Sequence, residues 1–266
     1  MKNIHPSAIV HPGAVLNAGV VIGPYAIIGE HVVLGDNTEV MAHAIVEGRT
    51  TIGKNNRIFP SASIGLVSQD LKDKGGATKL VIGDNNVIRE FSTIHLSATL
   101  EEDTVIGHNN LIMAYAHIAH NCQVGNNIII SNAVQLAGHV HVDDFAVIGG
   151  LTAVHQFVKI GTHAFVGGAS GLRKDIPPYT RGQGMDRYRI AGLNSIGLSR
   201  RGFSNETIEA IMKIYKIFYL ANLNVAQAIE QAETLQNLIH EQRIFIDFCK
   251  NSGRGINRNK EDVNVS

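Results

Sequence analysis

Eight of the thirteen histidines, His95, His108, His117, His120, His139, His141, His155 and His163, are concentrated in one stretch of the chain. Imidazole changes charge near neutral pH, so such a cluster points to proton transfer or to metal ligation. The spacing is more specific than the count. Eighteen residues separate His120 from Gly138, and Gly138 from Gln156; Asn121, His139 and Phe157 repeat the interval one position on. In a coil of eighteen residues these side chains stack in columns, with about 4.8 Å between layers. The Gly138 amide then lies beside the His120 imidazole, where an oxyanion next to a proton-abstracting base needs a donor. Glycine also lets a substrate approach the backbone closely. Together they are a minimal set for acyl transfer, in which imidazole deprotonates a hydroxyl, the oxygen attacks a thioester or ester, and an N–H holds the tetrahedral oxyanion. Taken singly, each histidine is as well explained by a solvated surface position; the column is what favours His120. Zinc would need three outward imidazoles to converge, one from a neighbouring chain. No cysteine or acidic cluster assists, so no metal is expected. The glycine-rich turns lack the strand–turn–helix context of a phosphate or dinucleotide fingerprint.

The element that would stack these residues is written along the chain. From Ile4, steps of six reach Val10, Leu16, Ile22, Ile28, Leu34 and so on to Ile64, then from Ile82 to Leu172, always Ile, Leu or Val. Neither a helix nor an ordinary strand has that period. It predicts a hexapeptide β-solenoid, each six-residue step forming one flat side of a triangular coil. Small residues four positions after the aliphatic one (Ala26, Thr38, Ala44, Ala62, Ala116, Cys122, Ala146, Ala164) would fill the narrow interior. From Ile4 to about Pro178 this makes roughly ten coils, a prism about 45–50 Å long.

Domains are expected at 1–184, the solenoid with an excursion loop at 66–81, and 185–266, a C-terminal α-helical domain with a disordered tail from Ser252. The excursion interrupts the comb for eighteen residues, one coil's worth, and loops on rigid scaffolds often carry function. Pro177 and Pro178 end the ladder. Ser204 is a helix N-cap before Ile208, Ile211, Ile214 and Phe218 at helical spacing, and two further helices are expected, roughly 225–236 and 239–250. Helices there would cover strand edges at one end of the prism. A formal net charge of zero gives no global sign of nucleic-acid binding. Two cysteines, Cys122 and Cys249, suit a reducing compartment. With no apolar leader and no run long enough to span a bilayer, a cytoplasmic protein without stable membrane insertion is expected.

The stretches AHIAHNCQVGNN (116–127), LAGHVHVDDFAVIGGLTAVHQF (136–157), VGGASGLRKDIPPY (166–179) and GLSRRGFS (197–204), with SQDLK (68–72), resemble the UDP-N-acetylglucosamine 3-O-acyltransferase family over essentially the whole chain. The resemblance implies a left-handed parallel β-helix, a homotrimer with active sites between subunits, and the first step of lipid A biosynthesis. In that step a 3-hydroxyacyl group passes from acyl carrier protein to the glucosamine 3-hydroxyl of UDP-N-acetylglucosamine. The donor is the carrier-bound thioester, and no cofactor is implied. Carried over by position, His120 is the general base, Gly138 the oxyanion donor and Asn121 the residue that orients the base. Gln69, Asp70, Lys72, His95, His117, His139, His155 and Gln156 would line the sugar and diphosphate site, and Asn194, Arg200 and Arg201 would hold the nucleotide. Gly168 matches the floor of the acyl groove, where a missing side chain should admit a longer chain.

Three positions depart from the family pattern. Asn121 stands where the family usually has aspartate; its carbonyl can orient an imidazole but brings no charge, and Asp103, one layer below, is the expected substitute. Segment 94–107 is expected to keep the comb unbroken, which would shorten a loop in the cleft. Ile196 replaces the usual acidic residue two after Asn194, removing a nucleotide contact. These departures leave open a relative with another acyl donor or nucleotide sugar, such as a 3-amino sugar, or a non-catalytic trimeric binding protein. Because acyl carrier proteins are strongly acidic, a basic docking surface is expected, with Lys159, Arg173, Lys174, Arg181, Arg187 and Arg189 as its candidates.

Overall fold

A computed structural model describes residues 3–258. Its frame is three sheets of eleven, nine and eight strands, parallel except for the last strand of the first, visited in rotation by successive short strands of the chain. The comb residues stack directly on one another: Ile4 pairs with Ile22, Ile28 with Val46 and Val124 with Val142. From Leu16 to Leu172 the aliphatic set is buried at every position but Leu100, with the small set beside it, including Ala26, Thr38, Ala116 and Cys122. Large and small residues thus alternate inside a narrow prism, the pairing of sizes that close packing needs. This is the left-handed β-helix with a C-terminal helical part.

Two coils are longer than the rest. Ile52 pairs with Ile82, thirty residues on, so this coil carries twelve extra residues rather than the eighteen expected; they form the excursion 67–78 between strands Ser63–Leu66 and Lys79–Ile82. Gly65 starts it, with φ of +76° and the Glu47 carbonyl and Thr50 hydroxyl packed where a Cβ would stand. Ile82 in turn pairs with Ile106, twenty-four residues on. The expectation of an unbroken comb at 94–107 is thus overturned: a second excursion of six extra residues spans 96–103, and Leu100, in phase with the comb, is 67% exposed. An insertion of one full period restores the phase, so periodicity alone cannot reveal it.

The far end of the prism is covered by the remaining chain. Strand Thr180–Gln183 adds a parallel rung and Arg189–Leu193 folds back antiparallel upon it, within a stretch expected to be helical. Helices α1 (Ser195–Arg200), α2 (Asn205–Tyr219), α3 (Val225–Glu233) and α4 (His240–Lys250) follow, with Ser204 capping α2 through Thr207 N–H as expected. Ile211, Ile214, Phe218 and Phe245 continue the apolar core from Ile176, Tyr179 and Leu193. The segment expected to be disordered from Ser252 is instead anchored as far as residue 258. Ser252 Oγ donates to buried Asp175 Oδ2 at 2.6 Å, Asn257 N–H to the Asp175 carbonyl, and Arg258 to the carbonyls of Phe218 and Leu223. The rest of that tail lies outside the described residues.

Candidate active site

The corner between the second and third sheets carries the histidine column. His120 lies two residues past buried Ile118, at a turn position where the solenoid leaves the backbone N–H without a ladder partner. Pro6, Pro12, Pro24 and Pro60 occupy the equivalent position of other six-residue steps, where a residue lacking that donor loses nothing. Gly138 holds this position one layer above His120. Among the described residues no protein acceptor takes its N–H. A Cβ at Gly138 would overlap the Cε1 and Nε2 atoms of His120, so the imidazole lies flat against the bare backbone, and His139 N–H donates to the His120 carbonyl at 3.0 Å.

The ring of His120 is fixed at its other nitrogen. Its Nδ1–H donates to Asn121 Oδ1 at 2.9 Å, and Asn121 is fully buried. Nε2 faces the excursion 67–78, with Asp70 Oδ2 at 3.7 Å. Asp70 is held by its own turn, accepting from Lys72 N–H and donating its N–H to Ser68 Oγ. Asp103, expected to supply the charge that Asn121 lacks, gives its carbonyl to Gln123 Nε2, and the carboxylate facing His120 Nε2 is that of Asp70.

A cavity of about 330 Å³ opens on this corner, lined by Gln69, Asp70, Lys72, His95, His117, His120, Gly138 and Gln156. His95 Nδ1–H donates to the Val67 carbonyl at 2.7 Å, which leaves its Nε2 as the acceptor. Burial lowers its pKa. His117 Nδ1 is hydrogen-bonded to Thr93 Oγ1 at 2.7 Å; burial first, then His95 and His120, lower it to about 4. Lowered in this way, the two imidazoles act as neutral hydrogen-bonding groups at pH 7, and the positive charge in the lining is that of Lys72. His139 stacks on Phe157 at 4.6 Å and faces Glu102 Oε2 at 3.6 Å, in an adjoining cavity with Lys72 and Gln156. From His117 and Ala137 a second cavity, of about 610 Å³, runs along the second sheet past Ala153, His155, Gly171 and Leu172 to Met185. Ala137, Ala153 and Gly171 leave room along it, beside the polar side chains of Gln135, His155, Arg173 and Asp186, and such a groove can take an extended chain.

Not every expected site residue meets here. Asn194, Arg200 and Arg201 lie at another corner, between the third and first sheets. Asn194 caps α1 and donates to the His163 carbonyl, while Arg201 packs over Phe145 at 4.6 Å. His163 stacks on Phe145 and is lowered to about 4, by burial first and Arg201 second. Gly168 lies exposed at the third corner, in contact with Gly150, and lines neither cavity. Ile196 is 65% exposed in the first turn of α1, which holds no acidic residue. Of the basic candidates, Arg173 lines the groove and Lys159 donates to the Asn251 carbonyl.

Sequence reasoning missed Ala98 and Thr99, which hold Asn121 from the second excursion beside the Glu102 carbonyl. No signal marked them, because that excursion leaves the comb in phase. It also missed the aromatic setting of Arg201, although Phe145 and His163 stand one coil apart.

Comparison with known proteins agrees with this geometry. Residues 175–257 match the model of the second domain of UDP-N-acetylglucosamine O-acyltransferase, and 2–36 and 103–138 match bacterial transferase hexapeptide repeats. An acyl-[acyl-carrier-protein]–UDP-N-acetylglucosamine O-acyltransferase of Chlamydia caviae is 49% identical over 97% of this chain and 92% of its own. The protein of that name from Thermodesulfovibrio yellowstonii is 48% identical over 97% and 100%. Among solved structures, the UDP-N-acetylglucosamine acyltransferase of Francisella novicida superposes with a TM-score of 0.92 at 40% identity, covering 97% of this chain and 95% of that one. That of Campylobacter jejuni gives 0.90 at 37%, covering 97% and 100%. With the solenoid, the capping helices and the repeat register all shared along nearly the full length, the chain belongs to the UDP-N-acetylglucosamine O-acyltransferase family.

Proposed function

We infer that this enzyme transfers a 3-hydroxyacyl chain from acyl carrier protein to the 3-hydroxyl of UDP-N-acetylglucosamine, the first step of lipid A biosynthesis. The observation that carries the chemistry is His120, anchored at Nδ1 by Asn121 and lying against a glycine whose N–H has no protein acceptor among the described residues. Nε2 takes the proton of the sugar hydroxyl as its oxygen attacks the thioester carbonyl. The carbonyl electron pair moves to oxygen, and Gly138 N–H holds the oxyanion. Collapse of the intermediate expels the carrier thiolate, which takes the proton back from imidazolium Nε2–H. Each step uses groups of the chain or of the two substrates, and no cofactor enters.

The groove from His117 to Met185 suits the acyl chain, and Gln69, Asp70, Lys72, His139 and Gln156 suit the polar sugar end. Arg200, Arg201 and Asn194, at a different corner, serve the nucleotide of a neighbouring subunit's site. A homotrimer joined through these corners brings guanidinium groups to the diphosphate. Among the described residues no helix is long and apolar enough to cross a membrane. With acyl carrier protein as donor, the enzyme works in the cytoplasm. The test is purified protein with UDP-N-acetylglucosamine, its 3-amino analogue and a panel of 3-hydroxyacyl carrier proteins, beside His120→Ala. Absence of product with every donor supports a binding protein instead. Product with the amino analogue alone reassigns the acceptor.

A further inference from the structure

The side chain of Asn121 is gripped by the second excursion. Its Oδ1 accepts from His120 Nδ1–H and from Ala98 N–H at 3.0 Å; its Nδ2 donates to the Glu102 carbonyl at 2.7 Å and faces Thr99 Oγ1 at 3.2 Å. Its backbone N–H donates to Thr104 Oγ1 at 2.8 Å. Two of these partners allow only one orientation of the amide. A backbone N–H only donates and a backbone carbonyl only accepts, so Oδ1 must face Ala98 and Nδ2 must face Glu102. It follows that His120 Nδ1 is the donor to Asn121 and that Nε2 carries the lone pair toward the cavity.

A carboxylate in this place would set one oxygen against the Glu102 carbonyl with no proton between them, away from solvent. Such a group relieves the clash by taking up a proton, because burial disfavours the charged form. We propose that the excursion 96–103 is a positioning element built for an amide, and that through Asn121 it holds His120 as the Nδ1–H tautomer. Asparagine here is the residue the clamp requires, rather than a weakened aspartate. The counter-charge for the imidazolium formed in catalysis comes from the cavity side, where Asp70 Oδ2 lies 3.7 Å from Nε2.

This inference rests on the acyl-transfer reading, so its test has a part that needs no substrate. Nitrogen-15 spectra of the full-length protein with labelled histidine, at a pH where His120 is neutral, should show Nδ1 protonated and Nε2 bare. An Nε2–H tautomer would overturn the proposal, even if the enzyme turns over. Kinetics supply the second part. N121D should lower kcat by about tenfold or more at pH 8, with KM for the sugar nucleotide nearly unchanged. Its kcat relative to wild type should recover as the pH is lowered and the new carboxyl takes up the proton that mimics an amide N–H. A kcat at or above wild type throughout, or a constant ratio across pH, would count against the clamp. Should N121D fail to fold, deletion of residues 97–102, which keeps the solenoid in phase, takes its place. That variant should show mixed His120 tautomers and reduced kcat, and a single Nδ1–H tautomer with wild-type kcat would refute the role of the excursion. Failure of wild-type protein to make product sinks the functional reading alone, since the tautomer is recorded without substrate.

Discussion

Two atoms of one ring divide the work at His120. Nδ1 is committed to Asn121, and only Nε2 is left for a substrate proton. His120→Ala should therefore lower kcat by about 10²–10⁴-fold, and the fold should persist because the ring lies outside the aliphatic core and Asn121 Oδ1 keeps Ala98 N–H. Persistent transfer in steady-state assays would mean that another group is the base. Gly138→Ala tests how the ring lies on that glycine. The new methyl overlaps the imidazole and must push it aside while the backbone N–H stays, so kcat should fall by about 10²-fold, the order for a reacting group misplaced by about 1 Å. An unchanged kcat would show that the ring position does not matter.

The two excursions show how a rigid coil acquires a site. Each leaves the prism at the corner between the second and third sheets and returns in register, so the scaffold supplies position and the loops supply chemistry. The first brings Gln69, Asp70 and Lys72 over the cavity; the second grips Asn121. Gly65 is the hinge of the first. Its positive φ and the atoms crowding its missing Cβ leave no room for a side chain, so Gly65→Ala should cost about 1–3 kcal/mol. Chemical denaturation with parallel assays checks this, and a kcat loss larger than the stability loss explains would place the damage in the excursion.

If the site is shared between subunits as proposed, the assembled molecule must join corners that one chain holds apart. If His120 of one subunit works with Arg201 of the next, His120→Ala and Arg201→Ala subunits, each nearly inactive alone, should regain activity when refolded together. Mixed trimers would then contain sites with both wild-type groups. No recovery, or a monomer by light scattering, argues against shared sites. Stability should also carry a histidine signature. His117 and His163 are lowered from 6.5 to about 4, so between those values the unfolded chain binds protons that the folded chain does not. Stability then falls as the pH drops from 6.5 toward 4, and is unaffected by these groups above 6.5. His163→Phe, which keeps the stack with Phe145, should flatten the fall in melting temperature across that window.

By itself the sequence determined the solenoid, because one aliphatic residue every six positions admits no other regular packing. It determined the His120–Gly138 pairing as well, since the interval between them lies in coils of ordinary length. Only the tertiary structure decided how long each excursion is and what it touches. Insertions of six or twelve residues leave a period of six intact, so the comb hid Leu100's exposure, the approach of Asp70 to His120 and the grip of Ala98 and Glu102 on Asn121. The separation of Arg201 from His120 was equally hidden, because two corners of one prism look alike in sequence until the chain is wound.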